Sequence, residues 1–152
     1  MKKFKFTLDK LLDYKDQILE KEKNSLASLH ADKNEALRLR DELAREMKEA
    51  QDDFNYRATK GISAMDMFIF KEHHNTLRLR IEDTEKSIKN IEVAIERQTG
   101  VVAEASKDVK SLEKLEEKQL EAYNFKAAKA EEAFIEEYVN GAAVRASMAE
   151  AG

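Results

Sequence analysis

Apolar residues recur at three- and four-residue steps through the first part of this sequence: Leu8, Leu12, Leu19, Leu26, Leu29, Ala36, Leu43, Met47, Ala50 and Phe54. That spacing puts them on one stripe of an α-helix, and a stripe so narrow and so long calls for a partner helix along its length. A second stripe keeps a stricter heptad, reading Leu77, Ile81, Thr84, Ile88, Ile91, Ile95, Gln98, Val102, Ala105, Val109 and Leu112, then Glu116, Gln119 and Tyr123. Little punctuation interrupts either stripe. The 152 residues include no proline and four glycines, where an ordinary globular domain carries roughly 5% proline and 7% glycine. Two long helices are therefore expected. Lys33 and Arg40 fall on seam positions of the first; their stems are expected to pack while their heads reach water.

The first stripe ends at RATKGISAMD, residues 57 to 66. Gly61 suits a left-handed helix end, and Ser63 followed by Asp66 resembles a capping box. A break this short forces the second helix back along the first. The expected fold is all-α, a long two-helix antiparallel coiled-coil hairpin in a single domain. Helix one is placed at about 7 to 58 with Thr7 as its cap, the hinge at about 59 to 62, and helix two at about 63 to 140. Gly100 is read as a tolerated bend, and Gly141 as a terminator before a frayed tail, 141 to 152. At 1.5 Å per residue the helices measure roughly 78 and 117 Å. Pairing back from the hinge brings Leu43 near residue 78 and Leu12 near Val109, so helix one runs out around residue 114 and about 26 residues overhang. The overhang carries Leu120, Tyr123, Phe125, Phe134, Ile135 and Tyr138, an apolar face that invites another protein to cover it.

Charge and chemistry narrow the function. The net charge is −4 with signs interspersed, which gives no basic footprint for nucleic acid. Without cysteine there are no disulfides or thiolate sites, which fits a reducing compartment. No apolar run is long enough to span a bilayer. Asp9 and Asp13 break up the start that a secretion signal would need to keep apolar. Phe4, Phe6, Leu8, Leu11 and Leu12 with Lys2, Lys3, Lys5 and Lys10 could instead form an interfacial membrane foot, though a short one. His73 and His74 are adjacent and point about 100° apart on a helix, so they make a poor ligand pair. No phosphate loop, nucleophile–base spacing or enclosed pocket is readable. No catalytic residue, cofactor or metal is expected.

FKFTLDKLLDYKDQILEKEK, residues 4 to 23, resembles the opening of the flagellar export protein FliJ family, an F-x-F-x-L-x-x-L-L pattern carried here by Phe4, Phe6, Leu8, Leu11 and Leu12. A glycine-bearing hairpin near residue 60, an aromatic-rich start to helix two, the lysine-rich KDVKSLEKLEEKQLEAY and the late EEAFIEEYVNGAAVRA follow in the family's order. Glu136-Glu137 stands where the family usually has Asp-Glu. The resemblance implies a stalk like the central subunit of rotary ATPases, working in flagellar type III export. Its implied partners are the hexameric flagellar export ATPase, the cytoplasmic domain of the export-gate membrane protein, and export chaperones. The implied location is cytoplasmic, peripheral to the inner membrane at the flagellar basal body. Carried onto this chain, the ring-binding end comprises Phe4, Phe6, Leu8, Leu11, Leu12, Leu120, Tyr123, Phe125, Phe134, Ile135 and Tyr138, and the gate-facing candidates are Phe68, Phe70 and Leu77. The alternatives are the equivalent stalk of a virulence type III secretion system, or a self-assembling structural coiled coil.

Overall fold

The computed structural model describes residues 2–151. They form two α-helices, α1 (Asp9–Lys60, 52 residues) and α2 (Ala64–Ala151, 88 residues), and no strand among the described residues. The chain is an all-α antiparallel hairpin. It divides into two compact units, a hinge unit Leu19–Glu104 and a terminal unit made of residues 2–18 with 105–151.

In the hinge unit, α1 stops because Gly61 takes φ = 89°, a left-handed conformation that costs glycine nothing and other residues a Cβ clash. The Gly61 N–H donates to the Ala58 carbonyl at 3.3 Å. Ser63 then caps α2, its hydroxyl accepting the Asp66 N–H at 3.1 Å and its carbonyl the Met67 N–H at 3.1 Å. Beyond the hinge the two stripes close on each other. Leu19, Leu43, Leu77, Thr84 and Ile88 are buried, and the Thr84 hydroxyl donates to the Arg80 carbonyl at 2.8 Å. Polar pairs mark the antiparallel register: Glu46 with His73 at 3.9 Å, Lys33 with Glu92 at 3.5 Å, and Gln98, whose amide donates to the Glu22 carbonyl at 3.0 Å and carboxylate at 2.5 Å. Lys33 and Arg40 are half-buried. α2 passes Gly100 without a break.

The terminal unit starts differently from the sequence expectation. α1 begins at Asp9 rather than at Thr7, with the Leu8 carbonyl accepting the Leu12 N–H at 2.9 Å. Residues 2–6 are not helical, and a turn closed by the Asp9 N–H on the Phe6 carbonyl at 3.3 Å joins them to α1. Phe6, next to that turn, is buried, as are Leu12, Ala105 and Val109 of the same unit. Lys15 reaches Asp108 at 3.5 Å. The far end also differs, because α2 runs past Gly141 to Ala151. The alanines around Gly141 are the strongest helix formers and offset one glycine, and the Arg145 guanidinium donates to the Gly141 carbonyl at 3.2 Å. Gly152, the last residue of the expected tail, lies outside the described residues.

Candidate protein-docking surfaces

The terminal unit sorts its candidate residues into packed and open sets. Phe6 and Leu12 are buried, at 4% and 8% exposure. Phe4 is half-buried with its ring tilted against Tyr123, centroids 5.5 Å apart, and the Tyr123 hydroxyl donates to the Lys2 carbonyl. These four hold the unit together and present little to a partner. The inward turn of Phe4 and Phe6 also removes the apolar tooth of a membrane foot, leaving Lys2, Lys3 and Lys5 outside. Leu8, Leu11 and Leu120 lie open at the rim, and Phe125, Phe134, Ile135 and Tyr138 are more than half exposed.

The covered part of α2 is longer than the expected 114. Seam positions Glu116, Gln119, Tyr123 and Ala127 are half-buried, whereas every residue from 128 to 140 is exposed. Residues 2–8 make the difference, because a non-helical chain advances up to about 3.3 Å per residue against 1.5 Å in a helix. On the open stretch, Ala127, Ala130, Glu131 and Phe134 line a shallow groove. Lys129 sits 5.8 Å from the Phe125 ring centre and 3.6 Å from the Glu132 carboxylate.

The hinge unit presents a second apolar surface. Phe70 stacks on Phe54 with centroids 4.1 Å apart and planes 16° from parallel. Grooves flank this stack: Gln51, Met67, Phe68, Lys71 and His74 line one, and Arg57, Ile62, Asp66, Ile69 and His73 the other. Phe68 is exposed and Phe70 half-buried. Leu77 corrects the sequence assignment, for at 1% exposure it is fully buried and offers no face to a gate. It lies on the heptad seam, so the paired helix takes it. Met65, Met67 and Ile69 belong to the open surface and were not singled out from the sequence. The signal was available: MDMFIF places five apolar residues within six positions, more than one helix stripe can bury.

Neither surface gathers chemistry. His73 points to Glu46, while the His74 ring lies 5.7 Å from Phe70, so the two imidazoles part as their adjacency implies. Among the described residues, no group of three or more His, Asp or Glu side chains is placed to hold a metal ion. None of their helices is long and apolar enough to cross a membrane. What both surfaces can do is bind protein through exposed aromatic and aliphatic side chains. The family model described as Flagellar FliJ protein matches residues 4–147. No curated protein and no solved structure matches the chain.

Proposed function

The chain belongs to the flagellar FliJ family, whose members are components of the flagellar type III export apparatus, and from that premise we propose that it is the apparatus's non-catalytic stalk. In this reading the terminal unit binds the hexameric export ATPase and promotes its assembly and turnover. Leu8, Leu11, Leu120, Phe125, Phe134, Ile135 and Tyr138 make the contact, with Phe4, Phe6, Leu12 and Tyr123 as the packed base beneath them. The hinge unit meets the cytoplasmic domain of the export gate through Phe68 and the edge of Phe70, and export chaperones are further partners. The protein then works at the cytoplasmic face of the inner membrane, at the base of the flagellum.

The observation that carries the reading is the open stretch of α2. Exposed aromatic and aliphatic side chains on a helix, within a chain otherwise paired along its seam, are the form in which a helix enters a groove on another protein. The test adds the protein to its own organism's flagellar ATPase and follows ATP turnover and hexamer content together. The full chain is expected to raise both. A chain lacking 128–152 is expected to lose both effects while keeping the helical circular dichroism of the remainder. Equal stimulation by the truncated chain sinks the assignment. Concentration-dependent oligomers of the chain by itself, with no effect on the ATPase, favour the self-assembling coiled coil.

A further inference from the structure

Residues 2–8 do not join α1, and their side chains sort by alternation. Phe4 and Phe6 turn inward, while Lys3 and Lys5 between and beside them are exposed. Phe6 is 4% exposed, as deeply buried as Val109 of α2. Phe4 lies against the Tyr123 ring, and the Tyr123 hydroxyl bonds the Lys2 carbonyl. With these contacts in place, α2 stays half-buried at Gln119, Tyr123 and Ala127, then opens at once.

The attachment is light. Residues 2–6 have neither an intrahelical ladder nor a sheet partner, the bond to Tyr123 is exposed, and the segment gathers three lysines, Lys2, Lys3 and Lys5, of one sign. Beyond the local bonds that its Phe6 and Leu8 carbonyls accept from α1, a buried ring, an edge contact and an exposed hydrogen bond place it at the low-stability end of the molecule, where local opening occurs without unfolding the rest. Opening has a defined product. Tyr123, Ala127, Ala130 and Phe134 follow at helical steps, so uncovering Tyr123 extends the open apolar face of α2 by two turns.

We propose that residues 2–8 are a releasable strap, which closes the α2 seam at Tyr123 and withholds Phe4, Phe6 and the Tyr123 ring from a partner until it is displaced. The strap itself rests on the contacts within the terminal unit; its gating of a partner rests on the stalk reading above.

Hydrogen exchange on the isolated full chain decides the strap. In Phe6→Ala, amides of residues 112–127 are expected to exchange at least about tenfold faster, and in Tyr123→Phe about threefold faster, with residues 19–104 unchanged. Unaltered exchange over 112–127 in both variants overturns the strap. Uniform acceleration over the whole chain overturns it too, because the contacts would then belong to a single folding unit. Tyr123→Phe keeps an aromatic ring while loosening the segment, so it also reads the gate. The concentration giving half-maximal stimulation of the ATPase is expected to fall about threefold, as the binding-competent fraction rises. A rise in that concentration, or no stimulation by any variant, overturns the gating and leaves the strap to the exchange result.

Discussion

Leu77 illustrates how a single position settles between two roles. Its 1% exposure makes it the most deeply buried large side chain among the described residues. Truncation there removes three carbons from a packed seam and leaves a cavity that stiff paired helices cannot collapse into. Leu77→Ala is expected to cost about 3 kcal/mol, read as a lower urea midpoint with an unchanged slope. If Leu77 instead served a partner, stability would hold and only binding would fall. Ion pairs on the outer face carry far less. Arg38 bridges Glu35 at 2.6 Å and Glu42 at 2.7 Å, and its hydrogen bond, then its charge, hold the Glu35 carboxyl below the usual carboxylate range. A carboxylate depressed in this way stabilises the fold above its unfolded value and loses that contribution as pH falls through the folded one. Both groups stand in open solvent, so acid unfolding is expected to owe little to them. From Leu12 onward the seam assignments were legible in the sequence, Lys33 and Gln98 included, because period and burial coincide along a paired helix; Leu8, first on the stripe, is exposed because it precedes α1. Leu77 was placed on that seam correctly and then given a second duty that its burial does not allow.

At the scale of elements, glycine position decides more than glycine number. Gly61 and Gly100 both have open space where a Cβ would stand, so sterics with neighbours cannot separate them. Backbone conformation does. Gly61→Ala forces alanine into the left-handed region and is expected to cost about 1 kcal/mol. Gly100→Ala sits within continuous helix and is expected to gain about 0.5–1 kcal/mol. Opposite shifts of the thermal midpoint in the two variants check this; a loss at Gly100 would reveal a packing need that the structure does not contain. The same reasoning explains which boundaries the sequence concealed. The hinge was legible because Gly61, Ser63 and Asp66 each supply a local signal. The start of α1 was set two residues early, since Thr7 is an adequate cap, whereas the turn closed by the Asp9 N–H on the Phe6 carbonyl puts the first helical residue at Asp9. The end of α2 was misjudged because Gly141 was weighed without the propensity of the alanines that follow it. The non-helical residues 2–8 move the start of the open part of α2 from about residue 114 to about 128, and the continued helix carries its end from about 140 to Ala151.

At the scale of the molecule, every functional statement comes down to which apolar side chains the fold leaves uncovered. A stalk that works by contact needs binding residues that are dispensable for folding, and the open stretch of α2 separates those two properties. Phe125, Phe134 and Tyr138 are exposed at 64%, 69% and 65%, so together replacing them with alanine removes little burial. The triple variant is expected to keep the wild-type thermal midpoint within about 5 °C, because surface changes away from packed features stay near ±0.5 kcal/mol each. If these rings are the anchors of the ring interface, its apparent affinity for the ATPase falls at least about tenfold, for aromatic anchors typically carry most of an interface's energy. Titrating ATP turnover against variant concentration reads that change, and sedimentation of the wild-type chain over a wide concentration range reads the rival. A monomer whose triple variant fails to stimulate places the working end at residues 125–138. A wild-type oligomer that the same substitutions dissolve assigns those rings to self-assembly, and the stalk reading then loses the observation that carries it.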